Sequence, residues 1–308
     1  TAIVFIQTKY AQNKDLGFET QNRIEVRGIK RPSLNSRVEG VAHELEKIPG
    51  VESVALANNS MPIVNVYGGT VTLPGSLDSK PIFAESFAIN EQFFSTFDIE
   101  ILAGRGFSEA FLGDKLFVDD EVSATAGVVV NLSLLQETGI DTAADAIGKR
   151  INIKFGRSID SNVQIIGVID DLYLRSLHSA VTPMVYYYGR IKDFRYLTMK
   201  LSGENTVKTM AAIDRVWREQ IPDIPMSRRF VHNSFEALYK DEVKRGDLFA
   251  IYSLFAIFIA CIGLYSIASF TIERRTKEIA VRKIMGATSN KIAILMLKQF
   301  TRPVIAGA

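Results

Sequence analysis

The sequence predicts an α+β extracytoplasmic domain, two βαβ halves forming one subdomain with a β-rich inserted subdomain, attached to transmembrane α-helices. Three observations predict it. Residues 248–272 carry no charge and are followed at once by a basic stretch, 273–288. Apolar residues recur with strand and helix periods near residue 25 and again near residue 200, marking two βαβ units. Between them, Gly, Asp and Ser punctuate short apolar runs in the way of a β-rich segment.

The chain opens TAIVFIQTKY with no basic n-region, so it does not read as a secretory signal. Residues 1–16 read instead as the end of a transmembrane helix with its exit helix. In 23–27, Ile24 and Val26 alternate with Arg23, Glu25 and Arg27, which predicts a strand with one buried and one wet face. Leu34, Val38, Val41, Leu45 and Ile48 then follow a helical stripe that Pro32 and Ser33 begin and Pro49-Gly50 end. Residues 51–56 complete the first βαβ unit.

The inserted subdomain is placed at 64–190. Strands are expected at 63–72, 83–89, 128–131, 150–155, 163–169 and 184–188, with helical segments at 91–97 and 132–138. The stretch 112–126 reads as the least structured. The second unit has a strand at 196–201, a helix at 207–220 with Val207, Met210, Trp217 and Ile221 near one face, and a strand at 226–231. The helix ends EKIPGVESV and REQIPDIPM look alike, so the units are read as two halves of one subdomain, 17–63 and 191–234. Two unrelated α/β units are the alternative.

Residues 235–272 read as a connecting helix and a transmembrane helix. In the approach to the span, Phe235, Leu238, Tyr239, Val243 and Leu248 form a stripe. One long helix through Gly246 is one expectation, a hinge there the other. At about 1.5 Å per residue, roughly 20 apolar residues cross the hydrocarbon core. Beyond it, 273–308 holds eight basic residues against Glu273 and Glu278, while the whole chain nets only +2. Lys and Arg flanking a span mark its cytoplasmic side, which leaves the net-acidic remainder outside. Tethering to a bilayer argues against nucleic acid as partner for this tail. Residues 289–308 turn apolar again and read as the start of a further transmembrane segment.

Catalytic constellations are sparse. His43, His178 and His232 show no metal-ligand spacing, and Gly148-Lys149-Arg150 lacks the rest of a phosphate-cradling loop. Asp170-Asp171 reads as a solvated turn rather than an acid/base pair. Cys261, the single cysteine, lies in the span, so no internal disulfide forms. The chain reads as non-catalytic, with no cofactor.

Residues 273–288 form a short amphipathic helix. Glu273/Lys277 and Glu278/Arg282 are i,i+4 pairs in the favourable order. Ile279, Val281, Ile284 and Met285 supply apolar anchors, Gly286 ends the helix, and Thr288-Ser289-Asn290 can cap the next. Such a rod either lies in anionic headgroups or docks in a groove of a cytosolic partner.

The segment ERRTKEIAVRKIMGAT resembles the one that follows the second span in FtsX-like and MacB-like ABC transporter permeases. NKDLGF, INEQFFSTFDIEILAGRGFS, VVNLSLL, IGKRINI and IIGVIDDLYLRSLHSAVTPMVYYY are similar to the periplasmic core domain of such permeases. The resemblance implies a permease subunit of the mechanotransmission type, in a bacterial inner membrane, multi-pass, with a large periplasmic domain. It implies that 273–288 is a cytoplasmic coupling helix, with coupling carried by Arg275, Lys277, Glu278, Arg282, Lys283 and Gly286. Family members usually read EIGIR where this chain has Glu278-Ile279-Ala280-Val281-Arg282. The implied partners are an ATP-binding subunit, a second permease module (a dimer or the same chain), the lipid bilayer and a periplasmic accessory protein or substrate. Export of a periplasmic substrate, lipoprotein release and cell-wall hydrolase control all fit. The competing reading is the ligand-sensing extracytoplasmic domain of a membrane receptor. A third, an anchored periplasmic hydrolase, lacks its catalytic residues.

Overall fold

The computed structural model describes residues 16–31, 34, 36–74, 80–118, 121–123, 126–156, 159–175, 180–286 and 288. The expected exit helix at 1–16 (save residue 16), the helix start at Pro32 and Ser33, His178, the cap at Ser289-Asn290 and the segment 289–308 lie outside the described residues. So do the side chains of Leu238, Tyr239 and Val243. Two compact units meet in sequence between Glu242 and Val243.

In the first unit, β1 (Arg23–Arg27), α1 (Val38–Glu46) and β2 (Val51–Ala57) are matched by β12 (Tyr196–Leu201), α5 (Thr206–Gln220) and β13 (Ser227–Phe230). The sheet order is β2-β12-β1-β13, every neighbour antiparallel. Each half therefore places its two strands parallel but one strand apart, with a strand of the other half between them, the split βαβ arrangement. Val38, Val41 and Leu45 of α1 and Ile213 and Trp217 of α5 are buried with Ile24, Val26, Leu197 and Met199. The buried Trp217 indole donates to the Ile224 carbonyl at 2.8 Å, so its one polar atom is satisfied.

Two expectations about faces are corrected here. Val207 is 85% exposed, and the buried stripe of α5 runs through Thr209, Ile213 and Trp217 instead. The second face of β1 is not wet: Arg23 and Glu25 are 4% and 0% exposed. Residues 60–61 and 96–98 supply their partners. Arg23 donates to the Thr96 carbonyl at 3.0 Å and pairs with Asp98, while Met61 N donates to Glu25 at 3.1 Å.

The remaining strands are β3 (Gly68–Thr72), β4 (Ile82–Ile89), β5 (Ile101–Gly104), β6 (Phe117–Val118), β7 (Glu121–Val122), β8 (Gly127–Asn131), β9 (Arg150–Phe155), β10 (Ile159–Ile169) and β11 (Met184–Tyr188). The short helices are α2 (Phe93–Thr96), α3 (Leu132–Thr138) and α4 (Ala143–Ala146). Strands β3, β4, β11, β8, β10 and β9 pair in sequence around a closed ring, since β11 pairs β4 as well as β8. Closure satisfies strand edges internally. Only Gly fits at two close backbone approaches: a Cβ at Gly69 of β3 would sit 1.9 Å from the Lys154 carbonyl oxygen, and one at Gly104 of β5 2.2 Å from that of Ile166. The expected strand at 63–72 is reduced to 68–72. The strand 101–104 and the β6–β7 hairpin were not anticipated, the latter within the stretch read as least structured.

Val71, Ala84, Val128, Ile151, Ile153 and Val163 are fully buried in one apolar cluster. A second cluster is aromatic, with Phe87, Phe93, Phe97 and Tyr186 all at 0% exposure. Phe93 packs edge-on against Phe87 at 5.3 Å and tilts against Phe97 at 5.0 Å. Such geometries add about 0.5–1.5 kcal/mol per pair beyond area burial. The ring meets the four-stranded sheet through the pairing of Ala57 with Ile89.

Phe93→Ala should cost about 3–5 kcal/mol, because the ring's neighbours cannot collapse into the space it leaves. Val207→Ala should stay within about 0.5 kcal/mol. Unfolding midpoints in denaturant compare the two directly, and equal midpoints would contradict this packing.

Candidate functional site

Beyond β13 the chain enters α6 (Val231–Arg274), helical without a break through Gly246, and then α7 (Thr276–Ile284). Residues Leu248–Arg274 are long and apolar enough to cross a membrane. Their apolar side chains face outward all round, with Leu254 at 69% and Ile259 at 67% exposure. In water this surface would be a large unpartnered patch, whereas lipid is a matching solvent for it. Three of its Ser and Thr hydroxyls turn inward. Ser253, Ser266 and Thr271 donate to the carbonyls of Phe249, Ile262 and Ile267 at 2.8, 3.0 and 2.8 Å. That local bonding hides hydroxyls from a hydrocarbon surrounding.

The helix is interrupted at Arg275, whose φ of −105° and ψ of 16° lie off the helical values. This corrects one expected pair. Glu273 and Lys277 straddle the interruption and are not ion-paired, because the i,i+4 register is lost. Glu278 and Arg282 lie within α7 and are joined at 2.6 Å. Both are near half-exposed, so the pair contributes at most about 0.5 kcal/mol. Glu278 sits in the first turn and Arg282 and Lys283 in the last, each favourable for the helix dipole. Gly286 takes φ +91°, the left-handed conformation that stops the helix. No residue of α7 is buried, and Val281, Ile284 and Met285 are 57%, 87% and 82% exposed. Arg275, Lys277, Glu278, Arg282, Lys283 and Gly286 thus occupy a single contiguous segment, an exposed charged helix with an apolar flank and a glycine stop.

In the first unit, Asp171 is a hydrogen-bonded clamp and not the solvated turn expected of it. It accepts from Ser133 N at 2.9 Å, Ser133 Oγ at 2.6 Å and Asn131 Nδ2 at 2.7 Å, tying its loop to the start of α3. Asp170 is exposed and accepts from the Asp171 amide at 2.7 Å. Among the described residues, no group of three or more His, Cys, Asp or Glu is placed to hold a metal ion.

Sequence reasoning missed a cleft of about 950 Å³ whose walls include His43, Glu46, Phe107, Lys115, Tyr188 and Arg190. Its residues come from segments far apart in the chain, so no local signal could have assembled it. Its cations face aromatic rings: Arg190 lies 3.6 Å from the Phe117 centroid and Lys115 5.4 Å from that of Tyr188. Tyr188 donates to Glu91 at 2.6 Å, and burial followed by that carboxylate pushes its phenol well above the ordinary range.

Comparison with known proteins places these features. The MacB-like periplasmic core domain matches residues 2–216, and the FtsX-like permease C-terminal region matches residues 250–308. The macrolide export ATP-binding/permease protein MacB of Bartonella henselae is 22% identical over 304 residues, covering 93% of this chain and 41% of that protein. The chain thus spans about two fifths of the curated relative's length. The periplasmic region of MacB from Actinobacillus actinomycetemcomitans superposes with a TM-score of 0.46 at 14% identity, covering 72% of this chain and 94% of that one. The extracellular domain of the noncanonic ABC-type transporter YknZ from Gram-positive bacteria gives 0.42 at 14%, covering 68% and 98%.

Asp171→Ala should leave the Ser133 amide and hydroxyl without their acceptor and cost about 1–3 kcal/mol. The expected readout is a lowered thermal midpoint. An unchanged midpoint with lost activity would assign Asp171 to chemistry instead.

Proposed function

Because this chain belongs to the MacB-like periplasmic core domain family and continues into an FtsX-like permease C-terminal region, we propose that it is the permease part of an ABC transporter working by mechanotransmission. In this reading α7 docks on a cytosolic ATP-binding partner, α6 crosses the inner membrane, and the unit built on β1–β13 stands in the periplasm. Nucleotide binding displaces α7. A helix resists axial stretch because each residue moved must break an i→i−4 hydrogen bond, so the displacement passes along α6. The result is a rearrangement of the periplasmic domain that drives export or extraction of a periplasmic or membrane substrate, without passage through this chain's own span.

The observation that carries the reading is the placement of α7: without a buried residue, charged, and one residue beyond a helix fit for lipid. Its exposed Val281, Ile284 and Met285 beside Arg282 and Lys283 suit a groove with an apolar floor and acidic rim. Arg275, Lys277, Glu278, Arg282 and Lys283 supply the polar contacts, and Gly286 the turn that sets the rod's length. Headgroup anchoring would suit the same composition, but the FtsX-like match over 250–308 favours docking. The same match counts against a receptor ectodomain. ATP hydrolysis is assigned to the partner or to a region of a longer protein, and a second permease module completes the assembly.

Glu278→Lys and Arg282→Glu should each uncouple the partner ATPase while leaving the periplasmic domain folded. Charge reversal at a docked interface costs several kcal/mol, so stimulation of ATP hydrolysis in reconstituted vesicles should fall about tenfold or more. Full stimulation in both variants would remove α7 from the coupling path.

A further inference from the structure

We propose that Glu25 and Arg229 are a positioning pair that fastens the root of α6 to the interior of the four-stranded sheet, so that load on the helix moves β1 instead of peeling β13 away. The proposal rests on the mechanotransmission reading and names the side chains through which it acts. Its premise is the junction: α6 starts at Val231, directly after β13 ends at Phe230. Displacement of the helix is passed along the backbone to β13.

That strand is poorly placed to bear it alone. Among the described residues, β13 is an edge strand of four residues that pairs with β1 alone, through Ile24↔Phe230, Glu25↔Arg229, Val26↔Arg228 and Arg27↔Ser227. A strand pulled from its end yields its ladder one bond at a time, and each such bond contributes little net stability. A side-chain tie across the ladder makes the bonds share the load.

Glu25 provides that tie. Its side chain is 1% exposed, and Arg229 Nε donates to Oε1 at 3.0 Å. Arg229 Nη2 also donates to Ser60 Oγ, which itself donates to Oε2 at 2.8 Å. Met61 N reaches Oε2 at 3.1 Å and Arg27 Nε reaches Oε1 at 3.2 Å. One buried carboxylate therefore joins β1, β13 and the loop at 60–61. Burial pushes the Glu25 carboxyl above its ordinary range, against the bonds from Ser60, Met61 and Arg27. A buried ion pair is a weak source of stability compared with two apolar side chains, and its best-attested use is to fix register. Directional bonds resist sliding, which apolar contacts do not.

The first turn of α6 is anchored beside it. Val231 and Phe235 are buried, and the Phe235 ring lies 5.5 Å from that of Phe18. Thr20 Oγ1 and His232 Nδ1 are 3.3 Å apart. Arg228, on the opposite face of β13, pairs with Asp214 of α5 at a partly exposed site. It supplies an internal control with an equally exposed arginine but a carboxylate 35% exposed, where that of Glu25 is 1%.

The test uses the full-length permease reconstituted with its ATP-binding partner in lipid vesicles, read by amide hydrogen exchange at Ser227–Phe230 with and without a non-hydrolysable ATP analogue. Arg229→Met should speed exchange of these amides at least tenfold more in the nucleotide-bound state than in the free state. Arg229→Lys should restore protection, and the unmodified protein and Arg228→Met should show no nucleotide dependence there. A merely structural loss would raise exchange equally in both states, and that outcome overturns the proposal. Should Arg229→Met fail to assemble, Glu25→Gln carries the same comparison with the same deciding outcomes. If the unmodified complex shows no nucleotide-dependent exchange anywhere in this chain, the mechanotransmission reading falls and the clamp falls with it.

Discussion

The first unit is arranged around β1, an interior strand of the sheet with buried residues on both faces. Its apolar residues Ile24 and Val26 lie under the helices, and Arg23 and Glu25 are buried on the other side. Burying Arg23 and Glu25 is tolerable only with partners in place. Those partners come from three distant segments: the loop at 60–61, the turn at 96–98 and the strand that precedes α6. The polar side of one five-residue strand thus determines where the inserted ring, the four-stranded sheet and the root of the long helix must meet.

Elements whose cause is local were legible in the sequence. The stripe through Val38, Val41 and Leu45, the strands 150–155 and 184–188, and the helix stop at Gly286 each follow from a few adjacent residues. The family was legible too, because the ERRTKEIAVRKIMGAT segment is contiguous. What escaped was non-local. A period of two says that Arg23 and Glu25 share a face, but not that residues 60–61 and 96–98 will cover it. The closed ring depends on β11 pairing both β4 and β8, roughly 100 and 55 residues earlier in the chain, a choice no periodicity encodes. The Glu273/Lys277 pair failed for a local reason, the interruption at Arg275, which carries no sequence signal of its own. The proposed α7 residues are neighbours in sequence, whereas the Glu25–Arg229 pair lies 204 positions apart and carries no local signal.

Two solvents act on the chain, and its polar groups are handled differently in each. In the sheet, buried charges are retained and paired across long sequence distances. Along the uncharged run 248–272, Ser253, Ser266 and Thr271 bond their hydroxyls within their own helix. The first strategy gives direction and register at specific points. The second gives a segment with no sideways preference, free to shift in a fluid surrounding.

The interleaved order β2-β12-β1-β13 has a consequence for how the protein is made. When β1 and β2 leave the ribosome, the strand that belongs between them has yet to be translated. It follows β2 by roughly 140 residues, which at about 5–20 residues per second is a delay on the order of ten seconds. During that interval two strands, each with an apolar face, stand beside an empty lane. The nascent half is then a natural customer for the holding chaperones of whichever compartment receives it.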